Sequence, residues 1–191
     1  MTVEILSIIA FLCLVGLVVG RGFMLRARGI NAFLFGATDK SDFILVVPVL
    51  FLIYTVLSCV FGLPMPAVLS KSFFGDDFLR WVGLAVCAFA LIWFAMTLRS
   101  FGESFRVGID EKAPDKLITD GMFAISRNPI YVAFLFFITG IFLIYPIRAV
   151  LIFAVLMVAA IQRQIVREEK FLIIHYGMEY KAYCKKVRRY L

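Results

Sequence analysis

The sequence predicts an all-α integral membrane protein: one bundle of five transmembrane helices, followed by an amphipathic C-terminal helix on the cytoplasmic side. Three observations predict it. Hydrophobic residues fill 63% of the 191 positions, with mean hydropathy +0.97, well above the roughly 45–50% apolar content of soluble domains. The apolar residues gather into five runs long enough, or nearly so, to cross a hydrocarbon core of about 30 Å. Lysine and arginine fall very unequally between the connections of those runs.

Residues 5–20 form the first run. Glu4 precedes it with no Lys or Arg, and no small-residue cleavage site follows, so it reads as a retained helix rather than a cleaved signal. A basic, glycine-punctuated loop, RGFMLRARG, leads on to Lys40. The second span, 43–61, carries Pro48 in its first turns, where neighbouring helices tolerate it, and ends at GLPMP, 62–66. Phe73 and Phe74, near Asp76 and Asp77, suggest a short interfacial segment before the third span, 81–98, which Arg99 closes. Residues 100–128 are the longest polar stretch. The fourth and fifth spans, 129–145 and 149–166, are separated only by Pro146, Ile147 and Arg148, a link short enough to require an antiparallel hairpin. From Arg167 the chain reads as a charged amphipathic helix broken near Gly177.

Seventeen of the 20 Lys and Arg then lie on one side of the membrane and three on the other. The bias is satisfied with the N terminus outside and the C terminus cytoplasmic. The net charge of +7 flanks apolar runs, which suits anionic headgroups and argues against nucleic acid. Both informative polar stretches, 99–131 and 162–191, face the cytoplasm, and the other loops are too short or too bland to build a site. The chain reads as a single domain, 1–191, with the first three helices in 1–98 and the chemistry in 99–191.

Cys13, Cys59, Cys87 and Cys184 show no CxxC spacing, and three lie within apolar runs. They read as small buried side chains, not as a disulfide framework or a metal site. HExxH, Walker A and GxGxxG sequences are absent, so a nucleotide-like cofactor would not sit on a Rossmann unit. His175, in the tail, reads as a surface or packing residue.

Two stretches can carry chemistry. Asn128-Pro129 reads as a helix start, with Asn as N-cap and Pro at the first helical position. The following amides and Arg127 would offer a carboxylate or phosphate a site; a well-capped helix with a snorkelling arginine explains the same residues. The apolar part of the fifth run, 149–161, spans only about 20 Å of helix. Gln162, Arg163 and Gln164 therefore lie at or inside the membrane boundary, where polar groups usually face a cavity or partner. An interfacial arginine with i,i+4 neighbours is the plainer alternative. Glu168 and Glu169 follow within two turns.

LITDGMFAISRNPIY at 117–131, the apolar hairpin, Glu168-Glu169, HYGMEYKAY at 175–183 and VRRY at 187–190 share an order and spacing. In this order the chain resembles, over residues 97–191, the superfamily of isoprenylcysteine carboxyl methyltransferases and phospholipid methyltransferases. The resemblance implies S-adenosylmethionine-dependent methyl transfer to a lipid, lipidated or hydrophobic small-molecule acceptor, at a carboxyl or headgroup. The cofactor would enter an all-helical site from the cytoplasm, and the acceptor from the bilayer. Carried over by position, cofactor contacts fall on Lys116, Leu117, Ile118, Phe123, Asn128, Pro129, Tyr131, Glu168 and Glu169. Arg163 would orient the substrate and, with Glu168, form the catalytic pair. No protein partner is implied. The chain departs from the family pattern in three places. Asn128 replaces a histidine, Phe123 replaces a tyrosine, and four residues separate Arg163 from Glu168 where the family's Arg-x₃-Glu spacing has three, while Arg167 takes the x₃ position. An NADPH-dependent membrane reductase of related architecture and a non-enzymatic scaffold on the same fold remain alternatives.

Overall fold

The computed structural model describes residues 2–29, 46–102 and 117–191. Their regular structure is helical: α1 (Thr2–Arg26), α2 (Val46–Phe61), α3 (Ala67–Ser70), α4 (Asp77–Phe101), a 3-10 turn (Gly121–Ala124), α5 (Pro129–Ile144), α6 (Arg148–Tyr176) and α7 (Met178–Lys186). By length and composition α1, α4 and α6 can each cross a membrane, and α2 and α5 are shorter apolar helices. The start of the expected second span, 43–45, lies outside the described residues.

Helix ends differ from the apolar runs for local reasons. α1 continues past Gly20 to Arg26 because GRGFMLR holds no proline and places a cation at the negative end of the helix dipole. α4 starts at Asp77, before the expected Trp81, because the Asp76 carboxylate accepts the Phe78 N–H at 2.8 Å as an N-cap. The fifth span and the first part of the charged tail form one helix, since no Gly or Pro interrupts 148–176. At 1.5 Å per residue its 29 residues reach about 44 Å, more than a hydrocarbon core is thick, so the polar end projects. Gly177, at φ +52°, breaks it where the sequence predicts.

α4 and α5 pack most closely. A Cβ on Gly83 would stand 2.7 Å from the Gly140 carbonyl oxygen, and one on Gly140 would stand 2.5 Å from Cys87 Sγ. Paired glycines let the two backbones touch, the main route to helix association where lipid removes the hydrophobic driving force. Cys87 is fully buried in this seam, as expected of the cysteines, but Cys13 and Cys59 are exposed on outer faces. An apolar run in a bilayer presents one face to lipid, so an apolar setting did not imply burial.

One end of the bundle is tied together by polar contacts. The connections before α4 and before α6 meet there: the Phe73 N–H donates to the Pro146 carbonyl at 2.8 Å and the Arg148 N–H to the Lys71 carbonyl at 3.2 Å. Phe73 and Phe74 rest against Phe142, with ring centroids 6.0 and 6.2 Å away. An Arg80–Glu4 ion pair and a 2.8 Å Ser7–Tyr145 hydrogen bond join α1 to this end. The opposite end carries α7, the 3-10 turn and the polar half of α6.

Candidate active site at the polar end of the bundle

A cavity of about 400 Å³ lies between α1, α2, α4, α5 and α6. Among the described residues its polar lining is Arg127, Asn128, Tyr131, Gln164 and Glu168, and the other lining residues are apolar. Aromatic rings of Phe94, Phe101, Phe123 and Phe134 stand beside the polar group, while α1 and α2 contribute Phe11, Leu14, Val18, Val49 and Leu52.

The sequence folds this way because three local devices fix the polar end. The first is the 3-10 turn. Gly121 has φ +57°, and a Cβ there would stand 2.5 Å from Ser100 Oγ, the atom that accepts the Met122 N–H at 3.1 Å. The turn is thereby seated on the end of α4, and Phe123 meets Phe101 edge to face at 4.7 Å. The Tyr183 hydroxyl donates to the Phe123 carbonyl at 2.6 Å. Burial pushes that phenol up to about 12, so it remains a donor at neutral pH.

The second device is the start of α5. Pro129 is its first residue and Asn128 occupies the N-cap position, as the sequence predicts. The Asn128 side chain does not cap the helix, however; its Nδ2 donates to the Arg189 carbonyl at 3.1 Å. The amide is oriented by a distant carbonyl acceptor and not by the N–H donors of its own helix. The Pro129 carbonyl accepts the Trp93 indole N–H at 3.0 Å, fixing the helix start against α4.

The third device is the inner face of α6. Glu168 Oε1 accepts the Tyr131 hydroxyl at 2.6 Å and Gln164 Nε2 at 3.0 Å. Arg167 Nη1 donates to Gln164 Oε1 at 3.3 Å. The two polar stretches singled out in the sequence therefore meet directly, through Tyr131 and Glu168. Behind them Glu169, 7% exposed, takes Arg189 Nε on Oε1 at 3.1 Å and Arg189 Nη2 on Oε2 at 2.6 Å. Arg127 Nη2 lies 3.3 Å from the same Oε1. The Glu169 carboxylate raises the Arg189 guanidinium above its ordinary range.

Of the residues expected from the sequence, Phe123, Asn128, Pro129, Tyr131 and Glu168 line the cavity. Glu169 lies behind that lining, bound to two arginines. Leu117 is buried against Tyr180 and Tyr183 rather than in the cavity wall, and Ile118 is half-buried outside the lining. Lys116 lies outside the described residues. Arg163 is exposed and does not line the cavity. Its neighbour Gln164 points inward instead, because the buried face of α6 runs through Ile161, Gln164, Ile165 and Glu169. His175 is exposed and stacks on Phe171, a surface role as expected. Arg127, Gln164 and the walls from α1 and α2 extend the expected set. The sequence singled out Gln164 only together with Gln162 and Arg163, and Arg189 only within the VRRY motif at 187–190, with nothing local to name its partner. Among the described residues no cluster of His, Cys, Asp or Glu could hold a metal ion.

No curated protein is matched by the chain. A family model described as phospholipid methyltransferase matches residues 78–179, from the first turn of α4 into α7. That stretch holds the glycine seam, the 3-10 turn, the start of α5 and the Gln164–Glu168 face. The chain belongs to the phospholipid methyltransferase family and is an integral membrane methyltransferase.

Proposed function

We propose that this protein transfers a methyl group from S-adenosylmethionine to a lipid or lipophilic acceptor at the cytoplasmic membrane face. The observation that carries the reading is the Tyr131–Glu168–Gln164 contact at the polar part of a cavity whose other walls are apolar helices. Five spans, with the N terminus outside, accompany it: the loops before α4 and before α6 share one end, and the basic residues concentrate on the other side.

The donor set suits that cofactor. Glu168 is a carboxylate already aimed by two donors, placed to receive an ammonium. Arg127 and the start of α5 offer positive charge to a carboxylate. Phe123, Phe101, Tyr131 and Phe134 present ring faces and edges to an adenine or a sulfonium. When bound, the cofactor would supply an electrophilic methyl group, and the chain's task is to hold it in line with the acceptor atom. Tyr131 fixes the carboxylate from α5 while Gln164 fixes it from α6, so the distance between the helices sets the position of the bound ammonium. The apolar walls exclude water and receive the acceptor's hydrocarbon. Among the described lining residues the one carboxylate, Glu168, is already engaged by Tyr131 and Gln164, which favours an acceptor that needs no base, such as a carboxylate. Arg167, which donates to Gln164, is the arginine of this network, and Arg163 remains the candidate for orienting the acceptor.

The test uses the purified protein, labelled methyl donor and lipid extracts of native membranes. Label should enter the lipid fraction, as base-labile methyl ester for a carboxyl acceptor or base-stable product for a headgroup amine. Val49→Phe, which fills the wall contributed by α2, should cut the rate roughly tenfold. Its affinity for S-adenosylhomocysteine should stay unchanged. Absence of any labelled lipid product from a protein that binds S-adenosylhomocysteine would contradict the acceptor class.

A further inference from the structure

The last residues of the chain touch the site without lining it. Residues 187–190 follow α7 and lie beyond the matched family region. The Arg188 carbonyl accepts the Arg127 N–H at 3.0 Å. The Arg189 carbonyl accepts both Ser126 Oγ at 3.3 Å and Asn128 Nδ2 at 3.1 Å. The Arg189 side chain forks onto Glu169 with contacts of 3.1 and 2.6 Å. Tyr190 then hydrogen-bonds Gln162 on α6.

This strap spans the gap between the turn before α5 and the polar end of α6. Those two elements, with the first turn of α5, carry the polar lining residues Arg127, Asn128, Tyr131, Gln164 and Glu168. α5 and α6 are joined covalently only at the far end of the bundle, through Tyr145–Ile147. At the cavity end the Tyr131–Glu168 bond closes the gap from inside and the strap closes it from behind. Glu169, adjacent to Glu168, receives cations from both sides: Arg127 from the turn and Arg189 from the strap. Glu169 is largely buried while the Arg189 side chain stays 38% exposed; the two contacts of the fork, one on each carboxylate oxygen, make it directional, unlike a single-contact ion pair.

We infer that Arg189 is a positioning residue for the methyl-donor site: its carbonyl and its guanidinium together hold Asn128, and through Glu169 also Arg127 and the Glu168 turn of α6, in binding register. The inference rests on the reading of the cavity as a methyl-donor site. It gives the VRRY motif, which lies beyond the matched stretch 78–179, a supporting role at that site.

The experiment is calorimetric titration of detergent-purified, monodisperse protein with S-adenosylhomocysteine, comparing wild type, Arg189→Ala and Arg189→Lys. Arg189→Ala should weaken affinity roughly tenfold at unchanged stoichiometry, a size usual for removing a supporting partner behind a binding group. Arg189→Lys, which keeps the charge but loses the fork, should fall between. A residue that merely stabilised the fold would lower stoichiometry, as protein is lost, and leave the affinity of the remainder unchanged. That result, or affinities equal to wild type in both variants, overturns the inference. If Arg189→Ala does not fold, the Lys variant decides alone: several-fold weaker binding supports the brace and equal binding refutes it. Failure of the wild type to bind would instead strike the methyl-donor reading itself.

Discussion

Replacing Glu168 by alanine should weaken binding of S-adenosylhomocysteine by roughly 30- to 1,000-fold, or about 2–4 kcal/mol, the range for truncating one partner of a shielded charge pair. The carboxylate is the only acidic group in the cavity lining among the described residues. Its removal leaves a bound ammonium without a counter-charge, and leaves Tyr131 and Gln164 without their common acceptor. Glu168→Gln separates the two effects. It keeps an oxygen for the Tyr131 hydroxyl and the shape of the wall, so a loss nearly as large as in the alanine variant would assign the effect to charge. Titration calorimetry at matched folded fraction measures both. Wild-type affinity in Glu168→Ala would remove Glu168 from the site.

The largest expected loss of stability belongs to the seam between α4 and α5. In Gly140→Val the new Cβ would stand 2.5 Å from Cys87 Sγ, 2.7 Å from the Gly83 carbonyl oxygen and 3.0 Å from the Cys87 nitrogen. Two of those atoms are backbone and cannot turn away, so the helices must separate. Overpacking of this kind costs about 1–3 kcal/mol even where side chains can adjust, and the rigid contacts here put the variant at or above the upper end. The damage should reach the cavity, since Phe137, Ile138 and Ile141 on the same helix line it. Thermal unfolding in detergent should show a drop of several degrees in Gly140→Val. Ile92→Val, at a position 62% exposed on the outer face of α4, should leave the melting temperature in place. Equal melting of Gly140→Val and wild type would mean that the seam is not the support described here.

Much of this architecture was legible because a bilayer imposes simple rules. Apolar runs became helices, the short Pro146-containing link became a hairpin, and Gly177 ended α6 because only its positive φ lets the chain turn there. The meeting of Tyr131 with Glu168 was legible only through the order and spacing of whole motifs, as the two residues are 37 apart in sequence. Helix phase explains why Gln164 and not Arg163 lines the cavity. Successive residues on a helix are turned by about 100°, so Arg163 and Gln164 cannot both face the cavity. The apolar stretch before them, greasy on every face, gave no signal for which one does. Asn128 shows the other limit. Its residue type predicts a local cap, but an acceptor 61 residues away took its side chain, and no local rule anticipates a partner delivered by the end of the chain. The arms of Glu169 were hidden for the same reason.

The proposed methyl transfer depends most directly on which nucleotide-like ligand the cavity accepts. Titrating the wild-type protein with S-adenosylhomocysteine, and separately with NADPH, decides it. Saturable binding of S-adenosylhomocysteine near one per chain, in the micromolar range of about −8 kcal/mol, with no heat from NADPH, is the predicted result. Binding of NADPH alone, or of neither ligand by a protein shown to be folded, would contradict it.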